Sequence, residues 1–557
     1  MSDPTNSDPA HFESAPAGDW RITRRLLVVV AVLITFLVLA YTFIDWRGKR
    51  AWEAYKRDFP TTGGPADFAS FIPPRVPDDQ NFAMTPFLAP LFNFNPLALP
   101  GQSRWLDTNG HERATTEFSR VASAGNWSQA MVLWRQERAT DLADWLRSWH
   151  KLKTSGKAAS EDANANFPSL DRKALGTTVL GELEQFGPVF DELRQASQRP
   201  QARFNIRYDE ADPWSILLPH LAVVKGACRA LQLRASAELA AGNAQGSSED
   251  IELVIRLSGT IKDEPFLISH LVRLVMVDFA VQAIWEGLES RQWTDAQLQM
   301  FQTQLGQLAI LHDLQRPLNG ERAADNLTFD LLRTQRDRQR LFSGLTGSGD
   351  SEAFVFLLVP RGWTYQEQVV CNRLFDKFMM PGFDPDAQVV KPSVIDANSA
   401  ALNRTMQGSP FHLVWNHLVM ARLLLPALGR TFEKSALAQN GIDEAAVACA
   451  LERYRMAEGH YPESLDKLQP RFVQSLPHDV CSGQALKYRV TDDGRFVLYS
   501  VGWNEKDDGG MFALRNKTPS SEATRQAAAS AEIFSTNPGT LDPDQGDWVW
   551  QYPPRTP

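Results

Sequence analysis

Nineteen consecutive uncharged residues, LLVVVAVLITFLVLAYTFI at positions 26–44, leave the N-terminal part of this chain few ways to fold. As a helix rising 1.5 Å per residue the run spans roughly 28 Å, close to the hydrocarbon thickness of a bilayer. A cleaved leader has a shorter apolar core and small residues at its cleavage site. Here the run ends in aromatic and charged residues, so 26–44 is expected to be an uncleaved transmembrane helix in contact with membrane lipid. Arg21, Arg24 and Arg25 precede it, and Arg47, Lys49, Arg50, Lys56 and Arg57 follow. Basic residues favour the cytoplasmic side, and this count alone would keep the C-terminal bulk in the cytoplasm.

The remaining chain is long enough for two or three domains. With 43% hydrophobic and 22% charged residues it is a globular composition, which excludes disorder throughout. A net charge of -9 argues against nucleic acid as a partner, because such binders carry a basic excess. Cys228, Cys371, Cys449 and Cys481 are far apart and form no CxxC pair. That removes zinc ribbons and thioredoxin-like redox motifs, and leaves open only an isolated Cys449–Cys481 disulfide.

Residues 1–25 read as a polar, disordered tail running up to the apolar stretch. Residues 45–105 are punctuated by proline, which fixes φ and removes donors, so an extended connector is expected. Its interleaved Phe68, Phe71, Phe82, Phe87, Phe92 and Phe94 should lie against the body of the protein. Residues 106–410 are expected to form a mainly α-helical domain, with 346–410 the least readable part. Thr294 to Gln297 is a capping box, followed by Leu298, Phe301, Leu305 and Leu308 on one helical face. Gly242-Asn243 interrupts two apolar helices, an αα-hairpin whose second helix is expected to resume after Ser247-Ser248. Residues 266–288 are apolar nearly all round but carry His270, Arg273, Asp278 and Glu286. Those charges favour a buried core helix over a second membrane span.

From Val447, Ala450, Leu451 and Tyr454 an apolar helical stripe runs to Gly459, which can take the left-handed cap, and Pro462 prevents resumption. Leu465 and Leu468 suggest one more turn. Residues 486–490 alternate like a half-buried strand, Asp492-Asp493-Gly494 supplies a hairpin turn, and 496–501 returns. Residues 547–552 read as a last strand. The order of Ala450 to Arg455, Gly459-His460-Tyr461-Pro462-Glu463-Ser464-Leu465, Leu498 to Asn504 and Asp507-Asp508-Gly509-Gly510 resembles type IV pilin-like subunits. Within that family it is most similar to the major pseudopilin of type II secretion systems. The resemblance covers about residues 418–515. Near residue 420 and at the N-terminus the chain lacks the glycine, hydrophobic residue and glutamate of a prepilin processing site, so maturation by prepilin peptidase is not expected.

The resemblance implies a C-terminal α+β module at 411–557, placed outside the inner membrane. It also implies calcium in the loop after the Leu-Tyr-Ser strand, at Ser500, Asn504, Asp507 and Asp508. Calcium takes six to eight oxygens from a flexible loop, but the EF-hand spacing is absent and a solvated acidic turn explains the same residues. No GxSxG, P-loop, Rossmann or HExxH pattern occurs, and His270 beside Asp263, Glu264 and Asp278 lacks metal-ligand spacing. A buried, hydrogen-bonded histidine is expected there. The expected fold is mainly α with a C-terminal α+β module: one transmembrane helix, an α-helical hairpin domain, then a helix with a small antiparallel sheet. The expected function is a non-enzymatic envelope or secretion-associated interaction protein with protein partners in the cell envelope. The alternatives are a membrane-tethered enzyme with its site in the helical domain and a cytoplasm-facing helical scaffold.

Overall fold

The apolar run lies within helix α1, Asp19–Arg57, which continues without a break through the basic residues that follow the run. At 1.5 Å per residue its 39 residues reach about 58 Å, so the helix exceeds a bilayer's apolar thickness. The computed structural model describes residues 19–59, 67–95, 103–124, 133–154, 170–210, 212–334, 359–515 and 541–554. Residues 1–18 of the expected tail lie outside them.

Two compact units emerge. The first comprises Met1–Asp58 and Leu332–Val369. Its apolar residues on α1 face outward, with Leu26 63% and Phe36 72% exposed, so this helix is long and apolar enough to cross a membrane. Thr35 and Thr42 donate their hydroxyls to the carbonyls of Ala31 and Val38, each at 2.8 Å, which satisfies their donors inside the apolar stretch. Trp46 and Arg50, whose guanidinium lies 5.4 Å from the indole centroid, mark the end of the run with the aromatic–cation pairing suited to a headgroup region. Beyond it Gly48 and Gly362 touch: a Cβ on Gly48 would stand 2.3 Å from the Gly362 carbonyl oxygen. Only two glycines let the backbones approach this closely, and the Gly362 N–H then donates to Asp45 Oδ1 at 2.5 Å.

The second unit comprises Phe59–Leu331 and Val370–Pro557, and one continuous hydrophobic core runs through it from Phe68 to Trp550. Its helices include α2 (Arg172–Leu183), α3 (Pro219–Ala241), α4 (Ala244–Gly259), α5 (Leu267–Glu289) and α6 (Asp295–Leu305). The αα-hairpin is α3 and α4, but α4 begins at Ala244, earlier than the serines suggest. Asn243 is the cap, accepting from the Gly246 N–H at 3.1 Å, and Ser247 and Ser248 are buried within the first turns. The Thr294/Gln297 capping box opens α6 as expected. Helix α5 is buried on nearly every side, a core helix of the second unit. Its His270 is buried and hydrogen-bonded to Ser435 Oγ at 3.0 Å, and Arg273 is paired with Asp313 at 2.6 Å.

The proline-rich segment, where described, is a series of short turns, several of them 3-10, that carry Phe68, Phe71, Phe82 and Phe87 into the core. Arginines hold it there: Arg203 donates to the Pro73 carbonyl (2.9 Å), Arg199 to Asn81 (2.8 Å) and Arg316 to Phe71 (2.7 Å). Helix α7 (Gln315–Leu332) and helix α8 (Arg361–Leu374) are followed by the short hairpin β1 (Phe383–Asp384) and β2 (Val389–Val390). Next come α9 (Pro392–Thr405), α10 (Pro410–Trp415), α11 (Val419–Leu424) and the long α12 (Gly429–Glu458). Gly459 caps α12 at φ 84°, and Leu465 and Leu468 form the expected extra turn, both buried. Three antiparallel strands follow in the order β3 (Lys487–Val490), β4 (Phe496–Ser500), β7 (Trp548–Trp550), with Tyr488 opposite Leu498 and Leu498 opposite Trp550. Strands β5 (Phe512–Leu514) and β6 (Leu541–Gly546) form a separate antiparallel pair. The chain is thus mainly helical with a few small antiparallel sheets. All four cysteines are free and buried.

Candidate functional site

The loop after β4 follows a strand whose five residues are all buried, so its entry is fixed by the core. Ser500 is buried and donates its hydroxyl to Asp479 Oδ1 at 2.8 Å, while its own oxygen accepts the Gly502 N–H at 3.0 Å. Asn504 donates to Asp508 Oδ2 at 2.9 Å, and its Oδ1 accepts from the Lys506 N–H. Asp507 is partnered elsewhere: Oδ1 accepts from the Tyr499 hydroxyl and the Gly509 N–H, both at 3.1 Å, and Oδ2 lies 3.4 Å from Lys487 Nζ. Those donors, led by the Gly509 N–H, hold its carboxyl below the usual range. Of the four residues expected to hold calcium, the structure joins Asn504 to Asp508, while Ser500 is hydrogen-bonded to Asp479 and Asp507 to Tyr499. Among the described residues no group of three or more His, Cys, Asp or Glu is placed to hold a metal ion.

Two aspartates outside the expected set organise this loop. Asp479, 1% exposed, accepts from the Val501 N–H at 3.0 Å and the Cys481 N–H at 2.8 Å in addition to Ser500. Asp547, equally buried, accepts from the N–H groups of Asp508 (3.1 Å) and Gly510 (2.6 Å). Burial pushes the Asp547 carboxyl up, and the backbone donors pull it back. A carboxylate gathering backbone donors does what an N-cap does for a helix, here for an irregular loop. The sequence signal for Asp547 was available, since it stands directly before the Trp-Val-Trp strand. Asp479 lies upstream in a segment without periodicity.

Further charged groups lie inside the second unit. Arg135 is 3% exposed, its Nη2 donates to the Leu437 carbonyl at 2.8 Å, and its Nη1 stands 3.8 Å from Glu444 Oε2. Burial raises Glu444 and lowers Arg135, and their mutual attraction opposes both shifts. Desolvation also lifts Asp278 to about 6, Glu321 to about 7 and Asp443 to about 7, and lowers His270 to about 3. His220 and Ser269 both bond the buried Glu264, and the His220 ring stacks on Phe204 at 4.0 Å. In this trio the carboxylate is central, so the serine is not held by the histidine and no nucleophile–base pair is formed. One open cleft, of about 620 Å³, lies beside the proline-rich segment; Arg199, Arg203 and Arg316 reach across it to main-chain carbonyls. Comparison with protein-family models, curated proteins and solved structures finds no match to this chain.

Proposed function

We propose that this chain is a single-pass membrane-anchored interaction protein of the cell envelope, associated with secretion rather than with catalysis. Its C-terminal part, 411–557, acts as a pseudopilin-like α+β module, and its bulk lies outside the inner membrane. The observation that carries the reading is the order of parts: an outward-facing apolar helix, a helical body, then a long helix backed by a small antiparallel sheet. The burial of the strongly shifted titratable groups is consistent with it, because groups sealed in a core serve packing rather than substrate. Large domains translocate largely regardless of flanking charge, so the basic residues after the apolar run do not oppose an outside location.

Two arms test this. Tagged full-length chain, cross-linked in cells and purified from detergent-solubilised membranes, should carry secretion components with it. Protease added to spheroplasts should digest the region after residue 60 and spare the extreme N-terminus. Protection of the bulk in intact spheroplasts would turn the reading into that of a cytoplasm-facing scaffold; a tagged chain purified without secretion components would remove the secretion assignment.

Calcium belongs to the same proposal. In the loop after β4 it would be held by Asn504 and Asp508 with main-chain carbonyls, and by Ser500 and Asp507 only if these exchanged their present partners. Binding to the folded state alone raises stability by about 2.7 kcal/mol at a hundredfold excess over Kd. The full chain in detergent should therefore melt higher in calcium than in chelator, with magnesium a poor substitute, and Asp508→Ala should lose the difference. Identical melting in calcium, magnesium and chelator would leave the loop held by Asp479 and Asp547 alone.

A further inference from the structure

Helix α10 is turned inside out. Of its six residues only Leu413 is buried, while Phe411 is 74%, Trp415 73% and Val414 48% exposed. These three stand at i, i+3 and i+4, so they form one ridge on one face, and the Phe411 and Trp415 rings stack with centroids 5.9 Å apart. The helix is rigidly started: Pro410 occupies its first turn and Ser409 caps it, accepting from the His412 N–H at 3.3 Å. Two large aromatics held in water by a preset helix form an apolar surface in want of a cover.

The surrounding sequence says which cover. From 397 to 432 there is no aspartate or glutamate, but Arg404, Arg422 and Arg430 are present. A chain with 66 acidic residues in 557 would place about four in such a stretch, so the absence is a local reversal of an acidic protein. The rest of a surface of net charge -9 is repelled by anionic phospholipid; this stretch is attracted by it. Exposed Trp and Phe in a stretch that carries arginines and no carboxylate is the composition that settles at the headgroup level. The second unit begins at Phe59, fifteen residues after the apolar run ends at Ile44. A bilayer holding α1 is thus presented at high effective concentration, and one short ridge suffices where a free protein would need more.

We propose that the Phe411–Val414–Trp415 ridge of α10 docks into the headgroup region of the bilayer that holds α1, favoured by anionic phospholipid. This rests on the reading of α1 as a membrane anchor, and the experiment separates the two. All four native cysteines are buried, so a thiol-reactive fluorophore will report from an introduced Val414→Cys or, separately, from Leu33→Cys on α1. Each labelled full-length protein is placed in phosphatidylcholine nanodiscs with and without phosphatidylglycerol, using brominated acyl chains as quencher. Quenching at 33 reports the anchor. Quenching at 414, stronger with phosphatidylglycerol, supports docking. Adding Phe411→Ser and Trp415→Ser to the 414-labelled protein should weaken docking roughly tenfold or more with an unchanged thermal midpoint. Quenching at 33 without quenching at 414 overturns the docking and leaves the anchor standing; absence at 33 overturns the anchor. Oligomers that dissociate when Trp415→Ser is introduced, with no quenching at 414, would make the ridge a self-interface and overturn the membrane assignment.

Discussion

Replacing Arg135 with alanine is expected to destabilise the folded chain by about 3–5 kcal/mol, the cost of leaving one member of a buried ionic pair uncompensated. The guanidinium has three roles at one point. It donates to the Leu437 carbonyl of α12 at 2.8 Å, faces Glu444 at 3.8 Å, and lies 4.0 Å from the centroid of the Trp134 ring, which itself packs 4.8 Å from Trp550. It therefore joins the segment before the helical body to α12 and to the last strand. Gly441 makes room for it: a Cβ there would stand 2.5 Å from Arg135 Nη2 and 3.1 Å from the Trp134 ring. Gly441→Ala should consequently reproduce part of the loss without touching the charge. The distance of 3.8 Å is too long for a hydrogen bond, so the pair is held by burial and the Leu437 contact more than by ion-pair geometry. A double variant, Arg135→Met with Glu444→Leu, should then recover most of the stability, because removing both charges removes the desolvation cost. The thermal midpoint of the full chain in detergent is the readout. A loss below about 1 kcal/mol for Arg135→Ala, typical of surface contacts, would show the cluster to be energetically idle.

Nothing near Arg135 announced this in the sequence. Residue 135 stands 302 positions before its carbonyl partner, and a lone arginine between two helices reads as a surface charge. What was legible is local. The capping box at Thr294, the Gly459 cap, the Asp492-Asp493-Gly494 turn and the burial of α5 follow from periodicity and turn chemistry over a few residues. So do the phenylalanines of the proline-rich segment, since apolar residues that frequent have to be buried somewhere. The hairpin's helix start was misplaced toward Ser247 because asparagine and serine are comparable caps and the competition is settled by geometry. In the loop after β4, the sequence identified oxygen-bearing side chains but not their partners. Asp479 and Asp547 act on it from 22 and 37 positions away, and such long-range satisfaction of backbone donors leaves no periodic trace. The ridge on α10 has no internal signal either: PFHLVW would pass for a core segment.

Stability is expected to fall as pH rises from about 5 to 8, and Glu433 contributes through a carboxyl that burial keeps protonated. Glu433 on α12 is 5% exposed, and burial followed by the neighbouring Asp544 pushes its carboxyl up to about 8, against an ordinary 4.5. Arg515 lies 3.4 Å from Asp542 and 3.9 Å from Asp544, so Asp544 has a cation of its own and Glu433 keeps its proton. Between pH 4.5 and 8 the folded chain holds that proton and the unfolded chain has released it. The contribution to stability is therefore full below the unfolded pKa and lost as pH rises through the folded one. At about 1.4 kcal/mol per unit of separation the loss is on the order of 4 kcal/mol by pH 8. Asp443 and Glu321, both lifted to about 7, and Asp278, lifted to about 6, act in the same direction. His270, lowered to about 3, acts oppositely: the unfolded imidazole takes a proton below about 6.5 that the folded one refuses, so stability also falls toward acid pH. The optimum should lie on the acid side of neutrality. Glu433→Gln isolates its contribution, because the amide can still donate to Asp544 but cannot ionise. The variant should match the unmodified chain near pH 5 and melt well above it at pH 8. Parallel profiles across that range would mean that Glu433 is ionised in both states, and the slope would have to be assigned to the other buried carboxyls, Asp443 and Glu321 among them.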